Sequence, residues 1–97
     1  MKTTESKVLL REPSETLRAI AHPFRLAIIE LLFKNKELSV TEIKDALGVD
    51  QPIASHHLRI MKNRNVVDLK RDGKMSKYFL TNPEYHDIVK VLLKVVR

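Results

Sequence analysis

Apolar residues recur at helical spacing on both sides of Pro23. Proline suits the first turn of a helix, because it fixes φ where the N–H needs no partner. The proline also biases His22 away from helix, so a break falls there. We therefore predict an amphipathic helix over residues 23–34 and a weaker one over 16–21, after Pro13. The apolar stripe of the stronger helix comprises Phe24, Ala27, Ile28, Leu31 and Leu32.

A polar segment then introduces two further helices. Ser39 and Glu42 have the spacing of a capping box, in which each side chain accepts the other residue's backbone N–H. Gly48 ends the first of these helices as a C′ glycine, and Asp50 caps the second. Two helices joined by so short a turn are typical of a helix-turn-helix, which we place at residues 39–63.

The remaining pattern predicts a hairpin and a final helix. Residues 66–80 contain two strand-like runs on either side of Asp72-Gly73, a strong hairpin signal. A last helix occupies residues 82–97. We therefore predict a mainly α (α+β) fold, a winged helix-turn-helix with about five helices and a two-stranded β-hairpin wing. No repeat interrupts it, so residues 1–97 form a single domain.

The net charge of +6 is concentrated in one part of the chain. Residues 51–80 hold seven basic and two acidic side chains, whereas residues 1–50 hold eight of each. Such a basic region is typical of a nucleic-acid footprint, and a merely solvated basic face is the alternative. The chain has no cysteine, which excludes disulfides, thiolate metal sites and thiol redox sensing.

Membrane and enzyme functions find little support in the sequence. No apolar run approaches the ~20 residues that span a bilayer, and the N-terminal charges differ from those of a secretory signal. We therefore expect a cytoplasmic protein with no membrane partner. No Ser-His-Asp set, phosphate-binding glycine loop or carboxylate pair is apparent, so we predict neither an enzyme nor a cofactor.

The second helix of the helix-turn-helix has an apolar and a polar face. Ala54, Leu58 and Met61 lie at i, i+4 and i+7 and are expected to pack inward. The side chains opposite them are of the types that bind base edges in the major groove. We predict base contacts from Gln51, Ser55, His56 and Arg59, and DNA backbone contacts from Lys62 and Arg64. Arg71, Lys74 and Lys77 of the hairpin complete the predicted DNA-binding set.

Two adjacent histidines raise the question of a metal site. On a helix His56 and His57 point about 100° apart, so they do not hold one ion together. Neither has a cysteine or a carboxylate at i+4. We therefore predict no metal there and expect His57 to be a packed histidine with one hydrogen bond.

The last helix carries more apolar surface than one small domain covers. A second copy would bury it and would place two recognition helices about 34 Å apart on DNA. Packing within its own domain is the alternative. Residues 8–10 are expected to add to the same surface. The predicted dimerisation residues are Tyr85, Ile88, Val89, Leu92 and Val96.

Three stretches have a familiar order and spacing. Ala19–Leu32 is similar to an "AL-HP-RL-IL-LL" helix, and Gln51–Arg59 is similar to a "Q-S-VS-HL" recognition helix. Val66-Val67 precedes a wing that ends in Tyr78–Leu80. With the terminal helices, these motifs cover almost the whole chain and resemble the ArsR/SmtB family of bacterial winged-helix repressors.

The resemblance implies a homodimer built from the first and last helices (14–34 and 82–97). It also implies binding to an inverted-repeat operator in double-stranded DNA and release by an inducer. Metal-sensing members carry "ELCVCDL", but Ser39 and Thr41 stand at the two cysteine positions here. Their last helix holds D-x-H and H-x-x-E pairs, whereas here no histidine or carboxylate follows Asp87. A possible small-molecule inducer therefore stays unidentified.

We accordingly predict a dimeric, sequence-specific DNA-binding repressor of ArsR type that lacks the family's usual metal and thiol sensing sites. The alternative is a winged-helix module for protein–protein interaction with non-specific affinity for nucleic acid. Only the protein-interaction module would bind DNA duplexes without regard to their sequence.

Overall fold

Within residues 3–96, five helices and three short strands form a winged helix-turn-helix. The computed structural model describes residues 3–96, and the side chains of residues 7–96. The elements are α1 (Thr3–Ile20), α2 (Pro23–Asn35), β1 (Glu37–Leu38), α3 (Val40–Leu47), α4 (Gln51–Asn63), β2 (Val67–Asp72), β3 (Met75–Leu80) and α5 (Tyr85–Val96). The predicted fold class, five helices with a hairpin wing, is confirmed.

The helix boundaries follow from local capping. His22 caps α2, because its Nδ1 accepts the Phe24 N–H at 3.0 Å. The capping box of α3 is present in both directions between Ser39 and Glu42. Asp50 occupies the N-cap position of α4, but its side chain makes no capping hydrogen bond. The predicted side-chain cap on α4 is therefore wrong, and Asp50 contributes its backbone carbonyl instead.

The first helix is longer than the sequence predicted. The expected start after Pro13 is wrong, because α1 begins at Thr3 and continues through this proline. Proline removes one i→i−4 hydrogen bond and crowds the carbonyl of residue i−4. That residue is Leu9, which is exposed, so water can satisfy its carbonyl. The predicted dimerisation segment 14–34 consequently begins in the middle of α1.

The wing belongs to a three-stranded antiparallel sheet in the order β1-β3-β2. Glu37 pairs with Phe79 and Leu38 with Tyr78, so β1 adds a strand to the predicted two-stranded hairpin. A two-residue strand is too short to show an alternating pattern in sequence. At the hairpin turn Gly73 has φ +65°, a conformation that side-chain-bearing residues rarely adopt.

The core is formed by the end of α1, by α2, α3 and α4, by the start of β2 and by Val89 of α5. The predicted inward stripe of α4 is confirmed, because Ala54, Leu58 and Met61 are fully buried. In α2 the fully buried residues are Ile28, Ile29 and Leu32, and the rest of the predicted stripe is partly exposed. Within residues 3–96, no helix combines the length and hydropathy required to cross a membrane.

Candidate nucleic-acid interface

The outer face of α4 presents the predicted base-contacting side chains. Gln51, His56 and Arg59 are exposed, and Ser55 is half-buried. They lie opposite the buried stripe that anchors the helix. With 13 residues, α4 is about 20 Å long, a size that the major groove accommodates. The helix thus combines a fixed inner face with an open polar outer face.

A histidine–arginine contact holds the inner side of α4. His57 is only 6% exposed, and its Nδ1 accepts a hydrogen bond from Arg25 Nε at 3.1 Å. The same guanidinium donates from Nη1 to the Ala19 carbonyl at 3.2 Å. The prediction of a packed histidine with one hydrogen bond is confirmed. Arg25 therefore connects the end of α1 to α2 and the recognition helix.

Two further imidazoles lie beside this contact. The ring centroid of His57 lies 4.4 Å from that of His22 and 5.4 Å from that of His56. Burial lowers the pKa of His57, and the neighbouring charges of His22, Arg25 and His56 lower it further. The neutral imidazole is the form that accepts from Arg25. Sequence reasoning did not find Arg25, because no local pattern links it to a residue 32 positions away.

The basic side chains of the wing lie beside α4, and they differ from one another in their surroundings. Arg71 and Lys74 are exposed near the hairpin turn, whereas Lys77 is half-buried. Lys77 is paired in register with Lys70, whose Nζ lies 2.8 Å from a Glu37 carboxylate oxygen. This hydrogen bond lowers the pKa of Glu37 and raises that of Lys70. The positive charge of the wing is therefore greatest towards its tip.

The two basic residues at the end of α4 differ in their partners. Lys62 is exposed, and its Nζ lies 4.0 Å from an Asp68 oxygen. The Arg64 guanidinium instead faces α1, where Nη2 donates to a Glu12 carboxylate oxygen at 2.6 Å. The structure thus gives Arg64 an intramolecular partner, whereas the sequence analysis predicted a contact with the DNA backbone.

Some of the predicted dimerisation residues pack into the core of the protomer, and others lie on its surface. Val89 is 5% exposed and belongs to the core of its own domain, which departs from the prediction. Tyr85 and Ile88 are half-buried and pack against the same core. Leu92 and Val96 are exposed, at 41% and 77%. Exposed apolar neighbours extend this surface along α5; they are Val91, Leu93 and Val95.

An open apolar groove of about 630 Å³ lies between α2, α3 and α5, and its lining includes Leu92, Leu93 and Val96 of this surface. Glu30 is the one charged residue in its lining. The Glu30 carboxylate is 2.5 Å from Nε2 of the buried His86, whose ring stacks on Phe33. Among the residues with described positions, no three His, Cys, Asp or Glu side chains converge as metal ligands would.

A helix-turn-helix with an exposed polar second helix and an adjacent basic hairpin defines a class, the winged helix-turn-helix transcription regulators. The family description "Bacterial regulatory protein, arsR family" matches residues 22–68. This span contains α2, α3, α4 and the start of the wing.

Individual relatives extend the similarity to most of the chain. The transcriptional repressor PagR of Bacillus anthracis is 37% identical over 83 residues, which are 86% of this chain and 83% of PagR. The crystal structure of PagR superposes with a TM-score of 0.78 and 36% identity, over 88% of this chain and 97% of that one. The repressor SmtB of Mycobacterium tuberculosis is 38% identical over 88 residues, 91% of this chain and 62% of SmtB.

A third likeness concerns the fold alone. The solution structure of a homodimeric winged helix-turn-helix DNA-binding domain from Mycobacterium bovis superposes with a TM-score of 0.81 at 24% identity, covering 98% of this chain and 87% of that one. Together with the relatives of higher identity, the family match shows that this chain belongs to the ArsR family of bacterial transcriptional regulators. It is a regulator and not an enzyme.

Proposed function

We propose that the protein is a homodimeric repressor that binds an inverted-repeat operator in double-stranded DNA in the cytoplasm. The observation that carries this proposal is the position of the open polar face of α4 beside the basic wing. The two surfaces are adjacent along the chain and hold most of its net positive charge. A major-groove helix with a flanking wing is a common arrangement for duplex recognition.

Each side chain has a distinct part in this proposal. Gln51, Ser55, His56 and Arg59 contact base edges, because they line the exposed side of α4. Lys62, Arg71, Lys74 and Lys77 neutralise phosphates, which adds affinity without sequence preference. Arg64 was predicted to do the same, but its pairing with Glu12 turns its guanidinium towards α1.

Dimerisation would cover the apolar surface that one protomer leaves in water. The exposed residues Leu92 and Val96 on α5 are the centre of this proposed interface. On the described part of α1, the exposed large apolar residues are Val8, Leu9, Leu10 and Leu17. Monomeric proteins seldom leave so many large apolar side chains exposed on two helices. A two-fold dimer would also match the two-fold symmetry of an inverted repeat.

We further propose that repression is not controlled by metal or thiol chemistry at the usual family position. Ser39 is buried there and is occupied in the capping box of α3. Thr41 is exposed in the first turn of the same helix. If an inducer exists, it is an unidentified small molecule of another class.

The proposal is tested by selecting bound sequences from a random duplex pool at ~150 mM salt, with the mass of the protein measured by light scattering. We expect a dimer and an enriched palindrome with half-sites about 10–11 base pairs apart. Binding without enrichment that vanishes as salt rises would contradict the proposal. That outcome would favour the protein-interaction module with non-specific nucleic-acid affinity.

A further inference from the structure

An arginine at the end of the recognition helix donates hydrogen bonds to three oxygen atoms of the first helix. Arg64 Nη2 donates to the Glu12 carboxylate at 2.6 Å, to the Glu12 carbonyl at 3.2 Å and to Thr16 Oγ1 at 3.4 Å. Arg64 is the C-cap of α4, and its own N–H is bonded to the Met61 carbonyl. The guanidinium therefore extends from a rigid point at the end of the recognition helix to α1.

The contact lies where it can control the direction of α1. At its C-terminal end α1 is anchored in the core by Ala19 and Ile20, which are 5% and 1% exposed. Glu12 and Thr16 lie on the same helical stripe as Ile20, with Glu12 about 12 Å farther along the axis. A helix held at one end can pivot about it, whereas a second attachment 12 Å away fixes its direction.

The surroundings of Arg64 also oppose a role as a phosphate ligand. Its side chain is 31% exposed, against 47% for Lys62 on the preceding turn. The Nε atom is fully enclosed and has no hydrogen-bond partner among the described residues. The hydrogen bond from Arg64, together with its charge, lowers the pKa of the Glu12 carboxyl. To reach DNA, the guanidinium would have to leave three acceptors.

We propose that Arg64, held by Glu12 and Thr16, is a positioning residue that fixes the angle between α1 and the recognition helix and so sets the half-site spacing that the dimer accepts. This inference rests on the proposed function, in which α1 takes part in the dimer. Rotating α1 relative to α4 would then change the separation of the two recognition helices. Arg64 acts on operator geometry through Glu12, without touching DNA.

The test compares matched alanine variants on the selected operator and on the same operator with one base pair added or removed between half-sites. Glu12→Ala and Arg64→Ala break the contact from either side. Glu15→Ala is the control for Glu12→Ala, because it removes another α1 carboxylate, one that is paired with Arg18 in the same helix. Lys62→Ala is the control for a lost phosphate contact. Light scattering and thermal unfolding confirm that each variant is a folded dimer.

We expect Glu12→Ala and Arg64→Ala to reduce the preference for the native spacing to a similar extent, by about 3- to 10-fold. The salt dependence of Glu12→Ala should equal that of the unmodified protein. Glu15→Ala should keep the preference. Lys62→Ala should weaken all duplexes and lower the salt slope by about 2, because each of the two protomers loses one phosphate contact.

The opposite pattern would overturn the inference and leave the proposed function intact. In that pattern Arg64→Ala behaves like Lys62→Ala, while Glu12→Ala keeps the spacing preference and binds all DNA more tightly, because Arg64 is released towards phosphate. A protein that enriches no palindrome would instead overturn the proposed function itself, and the inference with it.

Discussion

At the scale of single residues, the role of a basic side chain depends on which way it points from the helix. Arg59 and Arg64 are five positions apart, and both belong to the polar pattern of one segment. Arg59 is exposed on the outer face of α4, whereas Arg64 faces α1 and is bonded to Glu12. Residue type and helical period predicted that Arg59 is exposed. They did not predict the contact of Arg64, because its partner Glu12 lies 52 positions away in the sequence.

Arg59 provides the first prediction. Replacing it with alanine should relax base preference at one operator position per half-site, at a cost of about 1–3 kcal/mol in specific binding. The selection from random duplexes, repeated with Arg59→Ala, checks this. Lys74→Ala serves as the control and should weaken all duplexes alike. An unchanged sequence preference in Arg59→Ala would show that another residue carries base recognition.

His57 provides the second prediction, on the pH dependence of stability. Burial lowers its pKa in the folded state, so below the unfolded pKa of about 6.5 the unfolded chain binds the proton more readily. The free energy of unfolding should therefore decrease as the pH falls from 7 towards 5. In His57→Gln, an amide oxygen can accept from Arg25 without titrating, and the dependence should be flatter.

Urea unfolding at several pH values measures this effect. Ser55→Ala, a change without a titratable group on the same helix, should retain the original pH dependence. If His57→Gln and the unmodified chain lose stability in parallel, another group is responsible for the loss. The prediction concerns stability alone and does not require DNA.

At the scale of elements, local signals predicted the helices and the hairpin well. The capping box, the C′ glycine and the Asp-Gly turn each specify a backbone conformation through their nearest neighbours. Two elements departed from expectation for a physical reason. Continuing α1 through Pro13 costs one backbone hydrogen bond at an exposed position, and β1 exists only because β3 supplies its partner strand.

The third prediction concerns α5, which packs one side into the core and leaves the other side exposed. Leu92→Glu and Val96→Glu should weaken dimerisation at least about 30-fold, because each places a charge within the proposed apolar interface. Their fold should persist, since both side chains are exposed in the protomer. Light scattering over a concentration series measures the change, and thermal unfolding checks the fold.

Two further variants of α5 serve as controls for this prediction. Lys90→Glu changes the charge of an exposed position on α5 and should leave the dimer intact if the interface follows the apolar residues. Val89→Glu should unfold the protomer, because Val89 lies in the core. A protein that remains dimeric with Leu92→Glu and Val96→Glu would require an interface elsewhere.

At the scale of the whole molecule, charge and apolar surface are separated. The basic excess lies on α4 and the wing, whereas most of the large exposed apolar residues in the described part of the chain lie on α1 and α5. The exceptions are Phe33, Ile53, Leu69 and Met75. This separation lets a dimer use one surface for its own assembly and another for an anionic partner. Net charge alone supports association with DNA without deciding its specificity.

The fourth prediction follows from this separation. The logarithm of the DNA affinity should fall linearly with the logarithm of salt concentration, by about 0.9 per phosphate neutralised. Val96→Glu as a monomer should show about half the slope of the dimer, because one protomer contacts one half-site. Titrations of a labelled operator between 50 and 300 mM salt, roughly the range over which such slopes are resolved, measure both. Equal slopes would mean that a single protomer makes all the contacts.

The sequence by itself determined the order of the helices and the hairpin, the inward stripe of α4, the basic region and the family resemblance. These depend on helical period, turn chemistry and composition, which neighbouring residues specify. Only the tertiary structure decided that Val89 faces its own core and which polar contacts link distant parts of the chain. Arg25 meets His57 across 32 positions, Arg64 meets Glu12 across 52, and His86 meets Glu30 across 56. No local period encodes such pairs, because they arise where separately formed helices are brought together by burial of a common core.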